Sequence, residues 1–346
     1  MNDVLTRSFR YSFKDDYSEL GHEKVLSDLL KISNKQFDTY GLDSISDEAK
    51  ELIKKRFALS NADIHFISGG TQTNAVLINA ALSPIEAVIA AQSGHICLHE
   101  CGAIEHSGNK IISVTSDNGK ILPSNIEAII ALHTDEHMVK PKLVYISQPT
   151  ENGTVYLKQE LISLFETCKK NNLYLYIDGA RLGAALVSRG MDIKPEDMEN
   201  LCDAFYIGGT KNGSPLGEAL CVINEKLKEN FRYYLKQHGA MPAKGMLTGS
   251  CFKTLFEDDL FFCLAKRANK TAQKIASALC AKGYKMRYDA PANQVFPILP
   301  NTKIAELQKY FKFHVWEKLN NDTSVIRLVC CWAADEEEAD RLISMV

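Results

Sequence analysis

The feature that most constrains the fold is a repeating unit in the middle of the chain. A short apolar run of strand length is followed by a Gly-rich or polar break and then by a longer helical segment. The predicted strands are residues 64–67, 87–91, 143–147, 173–177 and 204–207, and the predicted helices are 47–57, 71–82, 123–132, 159–170 and 194–200. This alternation predicts a mostly parallel sheet covered by helices, which binds its ligand beyond the carboxyl ends of the strands.

The pattern changes after residue 240, through Gly239, Pro242 and Gly245. A long helix is predicted over 250–281, and it is followed by strands at 294–298, 314–317 and 324–329 and by an acidic helix from Asp335. We therefore expect a large domain over residues 1–240, including an N-terminal arm, and a smaller α+β domain over 241–346. The chain length of 346 residues agrees with two domains at about 150 residues each.

Composition and charge exclude several classes of protein. Forty basic and 43 acidic side chains give a net charge of −3 without a basic block, so no nucleic-acid partner is expected. Residues 64–85 carry no charge, but their polar stretch at 69–74 is unsuitable for a membrane span. Residues 1–13 lack the apolar core of a signal peptide, and ten irregularly spaced cysteines favour reduced thiols. We expect a cytoplasmic protein without a membrane partner.

The uncharged stretch at residues 68–74 reads Ser-Gly-Gly-Thr-Gln-Thr-Asn and joins a predicted strand to a predicted helix. Backbone N–H groups at such a helix start can bind an anion such as phosphate. By itself the turn, with Gly69, Gly70 and Thr71, is more typical of a tight connection, because neither the dinucleotide nor the triphosphate glycine pattern is present. A phosphate-binding role therefore needs support from other residues of the chain.

Two further chemical groups come after predicted strands. Asp178-Gly179-Ala180-Arg181 comes directly after the strand at 173–177, and a buried carboxylate there requires a cationic partner. That partner could be a protonated pyridine nitrogen, or Asp178 and Arg181 could simply pair or cap the next helix. Lys211 lies in a Gly-rich turn after the strand at 204–207, where a desolvated amine can form a Schiff base with an aldehyde. A phosphate site, an aspartate and a lysine in this order predict a pyridoxal-phosphate site.

These residues resemble the threonine aldolase family of pyridoxal-phosphate enzymes, within the wider group that includes aspartate aminotransferase. The resemblance covers nearly the whole chain. The matching segments are residues 13–17 (Phe-Lys-Asp-Asp-Tyr), 40–43 (Tyr-Gly-Leu-Asp), 68–74, His95, 178–181, Lys211 and 326–329 (Ile-Arg-Leu-Val). The resemblance implies an α/β fold like that of aspartate aminotransferase, with a mostly parallel seven-stranded sheet flanked by helices and a smaller C-terminal α+β domain.

The resemblance also implies roles for individual residues. Lys211 resembles the lysine that holds pyridoxal 5'-phosphate, and Asp178 resembles the partner of the pyridine nitrogen. His95 resembles the histidine stacked on the cofactor ring, and Arg181 and Arg327 resemble arginines near the cofactor hydroxyl and the substrate carboxylate. The phosphate-binding turn corresponds to Gly69, Gly70 and Thr71. The implied reaction cleaves the Cα–Cβ bond of L-threonine or L-allo-threonine, giving glycine and an aldehyde, in a homodimer or homotetramer with sites shared between chains.

Two positions depart from the family pattern. Glu151 occupies the place of a histidine proposed to help deprotonate the substrate hydroxyl, so Glu151, His95 or a water molecule could be the base. Asp15, a candidate for substrate binding, stands where serine or asparagine is usual. A β-eliminating lyase or an aminotransferase is therefore the alternative enzyme, since neither reaction needs a base for a β-hydroxyl.

Two functions from other classes of protein also remain possible. The chain could bind the cofactor without turnover. It could also be a zinc protein, because possible zinc ligands are concentrated within twelve residues. These are His95, Cys97, His99, Glu100, Cys101 and His106. Their spacing matches neither the paired cysteines of structural zinc sites nor the His-Glu-x-x-His pattern of hydrolases, and no metal is expected.

Overall fold

The computed structural model describes residues 10–346, and a seven-stranded sheet lies at its centre. The strands of the chain are β1 (Tyr11–Ser12), β2 (Asp63–Ile67), β3 (Glu86–Ala91), β4 (Lys110–Val114), β5 (Lys140–Ser147), β6 (Tyr174–Asp178), β7 (Ala204–Gly208), β8 (Glu218–Val222), β9 (Gln294–Val295), β10 (Ile298–Pro300), β11 (Phe311–Lys312), β12 (His314–Lys318) and β13 (Thr323–Val329). The central sheet has the order β2-β8-β7-β6-β5-β3-β4. Strand β8 pairs antiparallel with both neighbours, and the other pairings are parallel. The predicted mostly parallel sheet is confirmed.

Helices cover the sheet and connect its strands. They are α1 (Glu23–Ile32), α2 (Ser44–Phe57), α3 (Gly70–Ala81), α4 (His95–Leu98), α5 (Ala103–His106), α6 (Pro123–Leu132), α7 (Lys158–Lys170), α8 (Leu182–Leu186), α9 (Glu225–Lys228), α10 (Phe231–Gln237), α11 (Met246–Glu257), α12 (Leu260–Ala281), α13 (Asn301–Leu307) and α14 (Glu336–Met345). Local sequence fixes several ends: Asp43 caps α2 by accepting from the Ser46 N–H at 2.8 Å, and Asp335 caps α14. Among the described residues, every helix is too short or too polar to cross a membrane.

Two predicted helices differ from the observed ones. The segment predicted as a helix at 194–200 is a 3₁₀ helix of six residues, Pro195–Asn200, which is longer than most helices of this tighter form. The long helix predicted over 250–281 is two helices, α11 and α12, because Asp259 adopts a left-handed conformation with φ of 57°. The Asp259 carboxylate accepts from Arg56 Nε at 3.0 Å, which ties this break to the end of α2.

The alternation of side chains along the strands produces a core on each face of the sheet. On β5, Val144 and Ile146 face one buried cluster, and Leu143 and Tyr145 face the other. The first cluster continues without interruption into the C-terminal part of the chain, where it includes residues of α12 and β13. The sheet is therefore buried on both faces, as expected for a parallel sheet.

The C-terminal part forms its own antiparallel sheet, in which β13 pairs with β9, β10 and β12. Strand β1 pairs with β11, so the N-terminal arm packs against this part of the molecule. The division at residue 240 stays a prediction. Residues 1–9, which include most of the segment predicted to lack a signal-peptide core, lie outside the described part of the chain.

Candidate active site

The carboxyl ends of β2, β3, β5, β6 and β7 meet at one edge of the central sheet, beside a cavity of about 710 Å³. The C-terminal sheet closes one side of this cavity through β12 and β13. The lining contains nine of the ten residues predicted for the site: Gly69, Gly70, Thr71, His95, Glu151, Asp178, Arg181, Lys211 and Arg327. Ligands of open α/β sheets bind at this location.

The turns after β6 and β7 are in close backbone contact, which explains their glycines. The Gly208 N–H donates to the Gly179 carbonyl oxygen at 3.0 Å. A Cβ atom at Gly179 would lie 1.8 Å from the Tyr206 carbonyl oxygen, and one at Gly208 would lie 2.2 Å from the Ala180 carbonyl oxygen. Glycine therefore allows the turn that carries Asp178 and the turn that leads to Lys211 to lie side by side.

The start of α3 lies on the cavity wall and is a candidate anion site. Gly69, Gly70 and Thr71 line the cavity where α3 begins, and the first N–H groups of a helix have no partner within it. A Cβ atom at Gly70 would lie 3.0 Å from the Tyr206 hydroxyl oxygen, so the glycine keeps this corner open. Neutral walls, exposed N–H groups and the helix dipole together suit a phosphate group.

Asp178 lies at the end of β6 and is 4% exposed. Its Oδ2 accepts from the Tyr145 hydroxyl at 2.6 Å and from Asn74 Nδ2 at 2.9 Å, and its Oδ1 accepts from the Ala180 N–H at 3.0 Å. Burial acts to raise the pKa of Asp178, but these hydrogen bonds and His95 outweigh it, and the pKa lies below its ordinary value. Asp178 is thus a buried anion that faces the cavity.

Lys211 is half-buried in the same cavity, on the turn after β7. Burial and the neighbouring Arg181 guanidinium lower its pKa from the ordinary value, although nearby carboxylates act in the opposite direction. The Nζ atom lies 5.8 Å from the centre of the Tyr17 ring. A lysine with a lowered pKa is a better nucleophile near neutral pH, because more of it is the free amine.

Arg181 is bound by Asp16, a residue that the sequence interpretation passed over. Arg181 Nε and Nη2 donate to Asp16 Oδ2 and Oδ1 at 2.6 and 2.9 Å. Asn293 also donates to Asp16 Oδ2, at 2.9 Å. The alternative that Asp178 and Arg181 pair with each other is therefore wrong. Two nitrogen atoms of the Arg181 guanidinium already donate to Asp16. Arg327 is therefore the guanidinium in the cavity that is more available to a ligand.

Arg327 on β13 is held from one face by an aromatic ring. Its guanidinium carbon lies 4.6 Å from the centre of the Trp316 ring, and its Nη2 makes a long contact of 3.5 Å with the Lys14 carbonyl oxygen. Its buried Nε atom has no hydrogen-bond partner among residues 10–346. Burial, followed by repulsion from Arg181, lowers the pKa of Arg327 to about 10. This is the arrangement expected of a guanidinium that receives a carboxylate from a ligand.

His95 and Glu151 are neighbours on the cavity wall. Glu151 Oε1 accepts from the backbone N–H of His95 at 3.0 Å and from the Ser147 hydroxyl at 2.7 Å. Burial raises the pKa of Glu151 above its ordinary value. On its other side, the His95 imidazole contacts Glu100, with 2.8 Å between Nδ1 and Oε1. Both candidate bases therefore lie at the cavity, and their assignment remains a prediction.

Asp15 is the one predicted site residue outside the cavity lining. Its Oδ1 accepts from the Ser18 hydroxyl at 2.7 Å and from the Tyr17 N–H at 3.4 Å. This local turn engages the carboxylate within its own segment, and the role of Asp15 in substrate binding remains a prediction.

The suggested zinc ligands do not form a metal-binding group. Among the described residues, no cluster of three or more His, Cys, Asp or Glu side chains is arranged to hold a metal ion. Cys97 instead donates to the Ala91 carbonyl oxygen at 3.3 Å. All ten cysteines are free thiols, and six of them are buried.

Several polar residues of the site were missed by sequence interpretation. Asn74 lies one turn into α3, four residues after Gly70. Residues four apart lie on the same face of a helix, so this spacing could have predicted that Asn74 lies on the side of the phosphate turn. Glu218 begins β8, lines the cavity and accepts from the Gly209 N–H at 2.8 Å. Burial raises the pKa of Glu218 to about 7. The signal in the sequence that could have found Glu218 was an acidic residue directly before an apolar run of strand length.

These groups match the chemistry of pyridoxal phosphate part by part. The start of α3 suits the phosphate, the buried anionic Asp178 suits a protonated ring nitrogen, and Lys211 supplies an amine for the aldehyde. All of them line one cavity, and Gly70 leaves space that a side chain would fill. The residues present therefore fit this cofactor.

The fold and the site together define a class of protein, the pyridoxal-phosphate enzymes with the aspartate aminotransferase-like fold. The structure superposes on aspartate aminotransferase of Thermus thermophilus with a TM-score of 0.72 over 97% of this chain and 90% of the other, at 16% identity. At this identity the likeness shows the fold alone. It confirms the predicted fold class.

Family matches are more specific. Residues 33–299 match the model of the β-eliminating lyase family. A low specificity L-threonine aldolase of a Pseudomonas species is 30% identical over 329 residues, which are 94% of this chain and 93% of the relative. The structure of Leishmania major threonine aldolase is 45% identical, with a TM-score of 0.95 over 96% of this chain and 98% of the other. The chain belongs to the threonine aldolase family of β-eliminating lyases, and its cofactor is pyridoxal phosphate. The predicted family, enzyme class and cofactor are confirmed.

Proposed function

We propose that this chain is a pyridoxal-phosphate-dependent aldolase that cleaves the Cα–Cβ bond of a β-hydroxy-α-amino acid to glycine and an aldehyde. The proposed substrates are L-threonine and L-allo-threonine. One observation carries the proposal: the Lys211 amine, the Asp178 carboxylate, the start of α3 and the Arg327 guanidinium line a single cavity. The named activity of relatives that match almost end to end supports the same reaction.

Each residue contributes a defined task. Bound pyridoxal phosphate supplies an electron-accepting ring that stabilises negative charge at Cα. Asp178 would place its negative charge beside the ring nitrogen, and the N–H groups of Gly70 and Thr71 would hold the phosphate. Lys211 provides the free amine that anchors the cofactor. The fold thus supplies the cofactor with an anchor, a phosphate site and an electrostatic partner.

Arg327 is assigned to the substrate carboxylate. Its Nε is buried without a partner among the described residues, and a carboxylate accepts two parallel hydrogen bonds from a guanidinium. Two-point binding fixes the orientation of the substrate and therefore selects which bond at Cα is broken. Arg181, already bound by Asp16, contributes positive charge to the same wall.

The proton of the substrate hydroxyl needs an acceptor, for which His95 and Glu151 are the candidates on the wall. The raised pKa of Glu151 makes its carboxylate a stronger base than an ordinary glutamate. A water molecule held between Glu151 and the substrate is the third route. The contact of the His95 imidazole with the Glu100 carboxylate favours the histidine, because a carboxylate stabilises an imidazole that gains a proton.

Lys211→Ala tests the proposal, with exposed Lys285→Ala as the matched control. Purified wild type and Lys285→Ala should be yellow with bound cofactor, and borohydride should fix the cofactor to Lys211, as mass spectrometry of peptides would show. Lys211→Ala should carry no fixed cofactor and should lose cleavage of L-threonine. Cofactor fixed to another lysine would contradict the assignment of Lys211.

The products distinguish the aldolase from the alternative reactions. Incubation with L-threonine, L-allo-threonine and phenylserine should give glycine and one equivalent of the matching aldehyde. Release of ammonia and a keto acid would instead indicate a β-eliminating lyase, which the name of the matching family keeps open. Transfer of the amino group to a keto acid without glycine would indicate an aminotransferase.

The proposed form of the enzyme is a homodimer or homotetramer in which neighbouring chains share sites. Large apolar side chains that are exposed in the single chain support association; Leu20, Leu42 and Leu98 are 72%, 60% and 61% exposed. A cytoplasmic location belongs to the same proposal, since ten free thiols suit a reducing compartment.

A further inference from the structure

A buried polar chain lies behind His95 and connects it to Asp178. The His95 Nδ1 atom lies 2.8 Å from Glu100 Oε1, and Asn74 Nδ2 lies 2.7 Å from the same oxygen. Asn74 Nδ2 also lies 2.9 Å from Asp178 Oδ2. The Glu100 side chain is fully buried, whereas 36% of the His95 side chain is exposed. Three elements of the fold, α3, β6 and the segment around α4, meet in this chain of contacts.

The directions of these hydrogen bonds follow from Asn74. Its Oδ1 accepts from the Tyr176 hydroxyl at 2.8 Å, so its Nδ2 group has both protons available for the two carboxylates. Glu100 Oε1 therefore accepts from Asn74. The same oxygen is the partner of His95 Nδ1, and it accepts again if the imidazole carries its proton there. The network then favours one tautomer of His95, with the proton on Nδ1.

We propose that Glu100 is a positioning residue that fixes His95 with its proton on Nδ1 and its Nε2 lone pair toward the cavity, where it accepts the proton of the substrate hydroxyl. The role of His95 as the proton acceptor rests on the proposed function. In that step the O–H bond breaks and an Nε2–H bond forms. The O–H electron pair becomes the second carbon–oxygen bond of the aldehyde, while the Cα–Cβ pair passes to Cα.

The charges around His95 suit this role. Glu100 contacts its ring, Glu151 accepts from its backbone N–H, and Asp178 is linked through Asn74. The His99 ring lies 5.4 Å from the His95 ring, and Lys211 and Arg327 line the same cavity. Glu100 is the carboxyl group in direct contact with the ring, and a carboxylate in that position orients a histidine that accepts a proton. Glu151 Oε1 already accepts two hydrogen bonds, from the His95 backbone N–H and the Ser147 hydroxyl, which hold that oxygen in place.

The test combines histidine NMR with steady-state kinetics on the cofactor-loaded protein. Nitrogen-15 labelling of histidine reports which ring nitrogen carries the proton, and the His95 signals are identified by their loss in His95→Gln. Glu100→Gln keeps an oxygen where Oε1 lies, whereas Glu100→Ala removes the acceptor. Glu105→Gln, an exposed site five residues further on, is the matched control.

We expect His95 to carry its proton on Nδ1 in wild type, Glu105→Gln and Glu100→Gln. In Glu100→Ala, His95 should lose its preference for this tautomer. The kcat for glycine release should fall about 100-fold in Glu100→Ala with little change in KM, a loss in the range of general-base effects. Glu100→Gln should retain most of the activity. A wild-type His95 with its proton on Nε2 would overturn the proposal, even if the variants fail to fold.

Failure of the proposed function would look different. If Nδ1 carries the proton as expected but no glycine is formed from any of the three substrates, the aldolase proposal fails and the role of Glu100 in fixing His95 stands. If glycine is formed while Glu100→Ala changes neither the His95 signals nor kcat, the role of Glu100 fails and the aldolase proposal stands.

Discussion

The side chains of the site are positioned by partners that are distant in sequence. Arg181 is bound by Asp16, 165 residues earlier, and Asp178 is bound by Asn74, 104 residues earlier. Each partner neutralises or orients a charge that could not be buried alone. The sequence predicted the chemically reactive residues because they come after strands within glycine-rich turns. It did not predict their partners, which share no local pattern with them.

The Asp16–Arg181 pair supports a prediction about stability. Asp16 is 1% exposed and binds the guanidinium through both oxygens, so Asp16→Asn leaves a buried positive charge without its counter-charge. We expect the free energy of unfolding of the cofactor-free protein to fall by about 3–5 kcal/mol, as measured by urea denaturation.

A surface pair is the matched control for this prediction. Arg189 and Asp289 also form an ion pair, at 2.8 Å, but their side chains are 70% and 84% exposed. Asp289→Asn should leave the unfolding midpoint unchanged within error, because exposed ion pairs contribute little. Equal effects of the two substitutions would show that burial of the Asp16 pair does not matter for stability.

Secondary structure elements deliver these residues to one edge of the sheet. Strands β2, β3, β5, β6 and β7 were predicted from apolar runs, and β4 and β8 were not. Strand β4 is only partly buried and its apolar run is interrupted by Ser113, whereas β8 has an apolar run after Glu218 that sequence interpretation passed over. Strand β8 is also the antiparallel member of the sheet, a direction that only pairing with β2 and β7 determines.

The contact between the ends of β6 and β7 supports a prediction at this scale. In Gly179→Ala the added Cβ atom would meet the Tyr206 carbonyl oxygen at 1.8 Å, and the backbone of one turn must move. We expect loss of cofactor binding and destabilisation of at least about 1–3 kcal/mol, the usual range for overpacking. Absorbance of the bound cofactor and urea denaturation measure the two effects.

Gly69→Ala provides the comparison for folding. No atom lies within 4 Å of a Cβ atom at Gly69, and its φ of −175° is extended backbone that any residue adopts. Gly69→Ala should therefore fold with nearly wild-type stability. If Gly179→Ala proved equally stable, the close approach of the two turns would not be required for the fold.

At the scale of the whole molecule, the C-terminal sheet and the central sheet share one core and one cavity. The C-terminal part contributes His314, Trp316 and Arg327 to the cavity wall. In the proposed function, substrate recognition depends on how this part packs against the central sheet. The division predicted at residue 240 crosses a continuous buried cluster.

A buried histidine makes the stability of the fold depend on pH. His65 on β2 packs against Phe231, and burial, followed by the charges of Arg232 and Lys50, lowers its pKa from 6.5 to about 3. Between pH 6.5 and about 3, His65 binds a proton in the unfolded chain but stays neutral in the folded chain. Stability should fall as pH drops from 6.5 toward 3, by at most about 1.4 kcal/mol per pH unit from this group.

His65→Gln should remove this contribution. The difference in unfolding free energy between wild type and His65→Gln should be constant above about pH 7 and should shift in favour of the variant as the pH falls. Urea denaturation at several pH values measures it. A difference that is independent of pH across the range would show that His65 binds its proton equally well in the folded and the unfolded chain.

Association is the last prediction at this scale. Sedimentation equilibrium should give two or four times the chain mass of 38.6 kDa, because the exposed apolar side chains of the single chain are covered on association. A monomer with full activity would contradict a site shared between chains.

The sequence by itself determined the fold class of this protein and indicated the residues that we propose as its reactive groups. Strand and helix periodicity is a local property, and a glycine-rich turn after a strand carries its functional residue to the edge of any parallel sheet. Only the tertiary structure decided the partners and charges of those groups, such as Asp16 with Arg181 and Glu100 with His95. Burial and hydrogen bonding act between residues that meet only when the chain has folded. A local sequence pattern does not show which distant residues will meet.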